Sequence, residues 1–278
     1  MSKVAVITGG GGGLGRELVL ACGRRGMHVA IGDVDVAGMA ETERLLRAES
    51  PAAESFSHKL DVSKLEDVRA FADKVFGRFG AVHTLFNNAG VATYGSLWNS
   101  SEKDWQWVLG VNLFGVAWGI KAFVPRMIAA GEGHVVNIAS AAGWAYMADL
   151  GIYNASKSAV VAISETLLGD LRSAGSQLGV SVVCPAFFRT NINEAAINRP
   201  KEPGNEVESE QARVAREQRH AWVNDAIDKS PVSARDVAEI TLQAVEQNRF
   251  YVFPHPEVRD YINARARNAT SDWNPPGL

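Results

Sequence analysis

Short runs of apolar and β-branched residues alternate with longer helical patterns along most of the chain. Each run has the length of a buried strand, and each intervening segment repeats its apolar positions at helical spacing. Alternation of this kind predicts an α/β fold with a doubly wound parallel sheet of seven strands and helices on both faces. The predicted strands are residues 4–7, 28–32, 55–60, 82–86, 134–138, 180–184 and 250–253.

The two helical patterns that flank the fifth predicted strand are the most informative. The first covers about residues 102–129, and the second covers about residues 152–173. Farther along, Ser-Ala-Arg-Asp at 233–236 has the form of a capping box and predicts a helix to about Asn248. In a doubly wound sheet the ligand lies at the carboxyl ends of the strands, so we expect the functional residues there.

The chain changes character between residues 191 and 232. A break at 200–204 is followed by a charged stretch with scattered apolar residues. An insertion of this length in a compact domain is typical of a lid, a binding element or a disordered segment. We expect two short helices over the mouth of the site. Residues 268–278 have no helical pattern and are expected to be irregular or packed on a partner subunit. The whole chain, 1–278, is therefore predicted to be a single domain.

Composition narrows the class of protein. With 278 residues, 46% hydrophobic and 21% charged, the chain is typical of a soluble globular protein. The net charge of -3 gives no general attraction to nucleic acid or to an anionic membrane. The longest apolar run is too short for a membrane span, and the N-terminus lacks a signal-peptide pattern. Cys22 and Cys184 lie in apolar surroundings, which indicates reduced thiols and a cytoplasmic protein.

Tyr153 and Lys157 form the strongest candidate for catalysis. They are four residues apart in a predicted helix and therefore share one face of it. A free tyrosine has a pKa of about 10 and is a poor base at neutral pH. A neighbouring ammonium group favours the phenolate, so we expect Lys157 to lower the pKa of Tyr153 into the range of a working acid or base. Ser140 lies just after the fifth predicted strand.

A glycine-rich turn lies between the first predicted strand and its helix. The sequence from Thr8 to Gly15 contains six glycines, which let backbone amides approach a pyrophosphate at the start of the helix. A flexible glycine turn is the alternative. Asp33 ends the second strand, where a carboxylate accepts hydrogen bonds from an adenosine ribose and repels a 2′-phosphate. Neither Gly12 nor Val34 supplies a cation, so NAD is predicted in preference to NADP; a surface turn is the alternative for Asp33.

Taken together, these motifs resemble the classical short-chain dehydrogenase/reductase family over about residues 3–190, which implies a Rossmann-like sheet. The cofactor turn matches at Thr8-x-x-x-x-Gly13-x-Gly15, with Gly9 included, and the fourth-strand motif matches at 87–90. The segment 185–190 matches another family motif, although Ala186 replaces the usual glycine and Phe188 replaces a smaller aliphatic residue. The positions that match the catalytic residues are Asn112, Ser140, Tyr153 and Lys157.

The resemblance assigns a role to each catalytic position. It implies that Tyr153 exchanges a proton with the substrate oxygen and that Ser140 hydrogen-bonds this oxygen. Lys157 is expected to hold the nicotinamide ribose as well, and Asn112 to kink its helix and hold a water in a relay to Lys157. The implied cofactor contacts are Gly9, Gly13, Leu14, Gly15, Asp33, Asp61, Val62, Asn88, Tyr153, Lys157, Pro185, Phe188 and Thr190. The implied substrate wall consists of residues 91–94, Ser140, Ala142, Trp144, Tyr146, Met147, Tyr153, Phe187 and Phe188.

These assignments lead to one main hypothesis for function. The wall is apolar and adaptable, which favours NAD-dependent interconversion of a bulky secondary alcohol and its ketone. An acyl-carrier-protein or steroid-type ketoreductase is one alternative, and a dinucleotide-binding regulator without activity is another. An extended nucleotide-sugar epimerase is disfavoured because few residues follow Thr190. By resemblance we expect a homo-oligomer, either a dimer or a homotetramer, with the helices carrying Asn112 and Tyr153 at one interface. No metal site is predicted.

Overall fold

A parallel sheet of seven strands forms the centre of the molecule, as the sequence predicts. The computed structural model describes residues 2–190, 192 and 210–271. The strands are β1 (Val4–Thr8), β2 (His28–Asp33), β3 (Ser55–Lys59), β4 (Thr84–Asn87), β5 (His134–Ile138), β6 (Gly179–Val183) and β7 (Tyr251–Val252). Their order across the sheet is β3-β2-β1-β4-β5-β6-β7, and every neighbouring pair is parallel. The predicted doubly wound α/β class is confirmed.

Helices cover both faces of this sheet. They are α1 (Gly13–Arg24), α2 (Val36–Glu49), α3 (Leu65–Phe79), α4 (Glu102–Leu109), α5 (Gly115–Ala130), α6 (Gly151–Ser173), α7 (Glu210–Asp228), α8 (Ala234–Glu246) and α9 (Val258–Thr270). Ala5 and Ile7 of β1 pack with α1, α2 and α8. Val6, which points to the opposite face, packs with α3, α5 and α6. A strand covered on both sides has no solvent-facing positions, so the first four residues of β1 are all apolar.

Large apolar side chains stabilise this packing. Phe71 of α3 and Phe123 of α5 are fully buried, and their rings meet edge to face with centroids 6.2 Å apart. Burial of one such side chain contributes about 1.5–3 kcal/mol. Because the strands are parallel, their carboxyl ends lie at one edge of the sheet. Thr8, Asp33 and Asn87 each end a strand there.

The long helical segment before β5 is interrupted in the middle. α4 and α5 are joined by a single π-helical turn, Gly110–Phe114, and Asn112 lies at its centre. Among the described residues, the segment Glu102–Ala130 has the length and the mean hydropathy that a membrane-spanning helix requires. It packs against α3, α6 and β4, as a core helix does. Turns of the π type occur mostly at functional positions.

Two expectations concern the last third of the chain. The expectation of two short helices within 191–232 falls partly on residue 191 and residues 193–209, which lie outside the described residues; the described part contains the helix α7. The predicted irregular tail is wrong at 268–270, because α9 continues to Thr270. Val258 is the single buried residue of α9, so the sequence lacks the apolar periodicity that predicts a helix. Residues 272–278 lie outside the described residues.

Candidate active site

Ser140, Tyr153 and Lys157 come together at the carboxyl end of β5. Ser140 follows the strand, and its hydroxyl accepts a hydrogen bond from the Ala142 amide at 3.1 Å. The same hydroxyl donates to the Pro185 carbonyl at 3.4 Å. Tyr153 lies in the first turn of α6 and forms a hydrogen bond with Ser140. Two hydroxyls therefore lie side by side, in a position to contact a single substrate oxygen.

Burial controls the protonation of this cluster. It raises the pKa of the Tyr153 phenol to about 12, and the hydrogen bond with Ser140 opposes that rise. It lowers the pKa of the Lys157 ammonium to about 8. Lys157 Nζ donates to the Ile138 carbonyl at 2.8 Å and lies 5.7 Å from the centroid of the Tyr153 ring. Burial has the largest effect on the pKa of Tyr153 in this structure, and the expected lowering of that pKa by Lys157 stays a prediction.

Asn112 is fully buried in the π turn, and its amide connects three segments. Its Nδ2 donates to the Val91 carbonyl at 2.9 Å and to Ser156 Oγ at 3.0 Å. Its Oδ1 accepts from the Val91 amide at 2.8 Å. A carbon atom added to Gly90 would lie 3.5 Å from Lys157 Nζ and 3.6 Å from Asn112 Oδ1. This glycine therefore leaves space between the two polar atoms, where the expected relay water remains a prediction.

The glycine turn has the close approaches that a dinucleotide site requires. Gly9 and Gly13 have φ angles of 69° and 48°, which favour glycine. A side-chain carbon on Gly15 would lie 1.9 Å from the Gly9 carbonyl oxygen. Asn88 supports the turn, because its Nδ2 donates to the carbonyl of Thr8 at 2.9 Å and to that of Gly9 at 3.1 Å. The amides at the start of α1 and the glycine turn thereby form a narrow backbone cradle that suits a pyrophosphate.

Asp33 lies beside this cradle. Its Oδ2 accepts from the Gly11 amide at 2.8 Å, and its Oδ1 accepts from the Asp35 amide at 3.0 Å. Burial raises the pKa of this carboxyl group above its ordinary value, and the backbone hydrogen bonds counteract the effect. Each carboxylate oxygen keeps a further lone pair for a ribose hydroxyl. Asp33 is therefore tied to the turn and is more than an exposed turn residue.

Two supporting residues are absent from the sequence analysis. Arg16 donates from Nη2 to the Gly11 carbonyl at 2.6 Å and from Nε to Thr42 Oγ1 at 3.0 Å, which braces the glycine turn. A basic residue directly after Gly15 is the signal that could have indicated it. His255 accepts from the Ala186 amide at 3.1 Å and bonds the Phe187 carbonyl at 3.0 Å. His255 thus fixes the segment after β6, and only the tertiary fold brings it there.

The other expected cofactor residues have mixed environments. Leu14 packs in the core, so only its backbone is available to a dinucleotide. Asp61 accepts from the Ser63 amide and hydroxyl, and α3 begins only after Lys64, so Asp61–Ser63 does not cap that helix directly. Phe188 packs against the core and lies 6.4 Å from the His255 ring. Val62, Pro185 and Thr190 lie near the same edge of the sheet, and Pro185 also accepts from the Ala141 amide at 2.8 Å.

Two residues of the expected substrate wall have other contacts. Trp144 donates from Nε1 to Cys184 Sγ at 3.3 Å, and its ring meets Tyr251 of β7 at 6.1 Å. Tyr146 lies under the Arg265 guanidinium of α9 at 4.4 Å, and its hydroxyl accepts from Ser158 at 3.3 Å. These two rings therefore have packing partners on β7 and α9, and their place in the substrate wall stays a prediction.

Tyr94 and Phe187, two further residues of the expected substrate wall, contact α7. The Tyr94 ring meets His220 at 5.6 Å, and the Phe187 ring meets Trp222 at 5.5 Å, both edge to face. Burial raises the pKa of Tyr94, and the charge on Tyr153 raises it further, so the two phenols lie near each other. Val223 and Ile227 anchor α7 through buried side chains. α7, the described helix of the 191–232 segment, therefore contacts both Tyr94 and Phe187, which lie on two sides of the cleft beside Tyr153.

A doubly wound sheet with a glycine cradle and a Ser-Tyr-Lys cluster defines an oxidoreductase of the dinucleotide-binding type. The family model for short chain dehydrogenases matches residues 3–201. The chain belongs to the short-chain dehydrogenase/reductase family.

Three relatives illustrate the range of similarity. The oxidoreductase named SadH of Mycobacterium tuberculosis is 41% identical over 190 residues, covering 68% of this chain and 68% of SadH. The C alpha-dehydrogenase of a Sphingobium species is 34% identical over 262 residues, covering 93% of this chain and 82% of that protein. A short chain dehydrogenase/reductase of Burkholderia phymatum, solved in complex with NAD, is 41% identical with a TM-score of 0.95. That match covers 100% of this chain and 97% of the other.

Proposed function

We propose that the protein is an NAD-dependent oxidoreductase that interconverts a bulky, uncharged secondary alcohol and its ketone. The observation that carries the proposal is the contact between the catalytic cluster and the glycine turn. The Asn-Asn-Ala-Gly segment at 87–90 links them, because Ala89 lies against Gly9 and Gly90 lies against Lys157. A cofactor held by the turn therefore extends towards Ser140 and Tyr153. The NAD complex of the Burkholderia phymatum relative supports the choice of cofactor.

Each part of the cradle has a distinct task in holding the cofactor. When bound, NAD supplies or accepts the hydride at its nicotinamide ring. The amides from Gly13 to Gly15 bind the pyrophosphate, and Asp33 accepts hydrogen bonds from the adenosine ribose. Lys157 has donors beyond its bond to Ile138 and binds the nicotinamide ribose. The segment 185–190, fixed by His255, closes the nicotinamide end.

Tyr153 and Ser140 handle the oxygen of the substrate. With a pKa raised by burial, Tyr153 carries its proton near pH 7 and can donate it to a ketone oxygen during reduction. In the reverse direction the same phenol oxygen takes the hydroxyl proton. Ser140 hydrogen-bonds the substrate oxygen and stabilises the charge that develops there. Asn112 fixes the π turn and the Val91 loop around this oxygen.

The cleft favours a neutral substrate. Tyr94, Phe187 and the buried Ala142 supply an apolar wall. An isolated carboxylate in such surroundings would lose hydration at a cost of several kcal/mol. The relative named C alpha-dehydrogenase also acts as a dehydrogenase, which is consistent with oxidation of an alcohol carbon.

A panel of alcohols and ketones tests this proposal. With absorbance of NADH as the readout, bulky secondary alcohols such as phenylethanol and cyclohexanol derivatives should have the highest kcat/KM. Small hydroxy acids such as lactate should be poor substrates, because their carboxylate would lose hydration against the apolar wall at a cost of several kcal/mol. The proposal is wrong if the hydroxy acids are turned over faster than the bulky neutral alcohols.

Asp33 is expected to set the preference for NAD over NADP. In Asp33→Asn the amide oxygen can still accept from Gly11, but the negative charge is lost. The ratio of kcat/KM for NAD to that for NADP should fall by about 10- to 100-fold, the worth of a hydrogen bond to a charged group. Asp35→Asn is the matched control, because asparagine also caps α2. Equal use of both cofactors by the unmodified enzyme would contradict the role of Asp33.

A further inference from the structure

α7 places three side chains at separate points of the cleft. Arg219 reaches Asp149, His220 meets Tyr94, and Trp222 meets Phe187. Asp149 lies two residues before the start of α6, whose first turn carries Tyr153. Arg219 is therefore a cation that α7 places beside the start of the catalytic helix.

Arg219 has unused hydrogen-bonding capacity. Its Nη2 contacts Asp149 Oδ2 at 3.4 Å, which is long for a charge-assisted hydrogen bond. Its Nε is inaccessible to solvent and has no hydrogen-bond partner within the described residues. The guanidinium lies over the Trp222 ring at 5.3 Å, which fixes its plane. A buried donor of this kind calls for a partner, because leaving it unsatisfied costs about 1–3 kcal/mol.

Asp149 is held in place independently of Arg219. Its backbone has a φ of 61°, in the left-handed region. Its carbonyl accepts from the Gly95 amide at 2.9 Å, and Gly95 forms a parallel bridge with Leu150. The carboxylate therefore stays beside Arg219 whether or not the cleft is filled. Because this carboxylate balances the guanidinium charge, the pair attracts a neutral acceptor more than an anion.

From these contacts we infer that Arg219 is a specificity-determining residue that donates a hydrogen bond to a neutral oxygen of the substrate, remote from the reacting carbon. This inference rests on the proposed function and narrows its substrate class. The substrate is then an apolar, aryl or alicyclic secondary alcohol or ketone that carries an ether, carbonyl or hydroxyl oxygen on its far side. The aromatic side chains contact the apolar part of the substrate, and Arg219 donates a hydrogen bond to the oxygen on its far side.

A matched pair of substrates separates this role from general binding. The two substrates are 1-phenylethanols that carry either a para-methoxy or a para-ethyl group. They differ at one atom, which is an oxygen in the methoxy group and a methylene carbon in the ethyl group. In Arg219→Met, the ratio of kcat/KM for the methoxy to the ethyl alcohol should fall about tenfold relative to the unmodified enzyme. Arg219→Lys should lose most of the same discrimination, since it keeps the charge without Nε. Arg213 lies on the exposed side of α7 and is paired with Glu210 and Glu217. The control variant Arg213→Met should leave the kcat/KM of both alcohols unchanged.

Asp149→Asn distinguishes substrate binding from simple attachment of α7. Asparagine tolerates the left-handed backbone but lacks the charge, so the discrimination should persist. If Asp149→Asn and Arg219→Met weaken both alcohols equally, Arg219 only attaches the helix and the inference is overturned. The inference also fails if no Arg219 variant alters the ratio. A para-carboxylate that outperforms the para-methoxy alcohol would overturn the assignment of a neutral oxygen.

Failure of the proposed function gives a different result. The unmodified enzyme would then turn over neither alcohol with NAD. Dissociation constants of the para-methoxy and para-ethyl acetophenones, measured by quenching of tryptophan fluorescence, would still test Arg219. A preference for the methoxy ketone that disappears in Arg219→Met or Arg219→Lys would support the inference. Equal constants in the unmodified enzyme would refute it.

Discussion

Replacement of Tyr153 by phenylalanine is expected to lower kcat/KM by at least about a hundredfold, the usual worth of a general acid or base. The phenylalanine ring fills the same space, so the dissociation constant of NADH should stay within a factor of about two. The physical reason is that the substitution removes only the hydroxyl of Tyr153, which by proposal exchanges the proton with the substrate. Lys157→Ala should weaken both turnover and NADH binding, because that ammonium has two assigned tasks.

Stopped-flow turnover and NADH fluorescence titration together measure this effect. Tyr251→Phe is the control, because the Tyr251 hydroxyl contacts Glu165 at 2.8 Å on β7 and has no assigned role in catalysis. It should retain activity. A Tyr153→Phe enzyme with more than about a hundredth of the original kcat/KM would rule out Tyr153 as the main proton donor.

Gly15→Ala should remove measurable dinucleotide binding. The added carbon would lie 1.9 Å from the Gly9 carbonyl oxygen and 2.7 Å from Asn88 Nδ2. Contact with backbone at that distance forces the whole turn to move, and the amides of α1 then lose the geometry that binds a pyrophosphate. We expect the dissociation constant of NADH to rise by more than about a hundredfold, the loss of two charge-assisted hydrogen bonds.

Gly77→Ala provides the matched comparison. Gly77 lies in α3, and a carbon added there meets nothing within 4 Å. Alanine should stabilise that helix by up to about 1 kcal/mol and leave NADH binding unchanged. Thermal unfolding and NADH titration of both variants measure the two effects separately. Normal NADH affinity in a folded Gly15→Ala enzyme would show that the turn adapts to the added carbon. It would contradict the claim that the close contact between Gly15 and Gly9 is needed to bind the pyrophosphate.

The sheet and the catalytic cluster could be predicted because their signals are local. β5 is predicted at its exact bounds, because Val135, Val136 and Ile138 are β-branched residues that favour a strand. The spacing of Tyr153 and Lys157 fixes them on one face of α6. Asp33 was found in the same way, from its place at the end of a strand.

Other parts depended on contacts that the sequence does not encode locally. His255 reaches Ala186 across 69 residues, and Arg219 reaches Asp149 across 70. The contact of Tyr146 with Arg265 of α9 likewise has no local signal in the sequence. The rise that burial causes in the pKa of Tyr153 also follows from packing and has no local signal in the sequence.

The π turn at Gly110–Phe114 accommodates one extra residue between α4 and α5. Its hydrogen bonds span one residue more than those of an α-helix, so the turn fits that residue into about the rotation of a regular helical turn. Deleting a single residue there would convert the segment into one regular helix and leave α4 and α5 facing as before. Val108 would keep its buried position, whereas Asn112 would lose the wider turn from which it bonds Val91. The extra residue therefore serves the placement of Asn112 and not the packing of the two helices, even though the sequence of the segment is an ordinary apolar helix pattern.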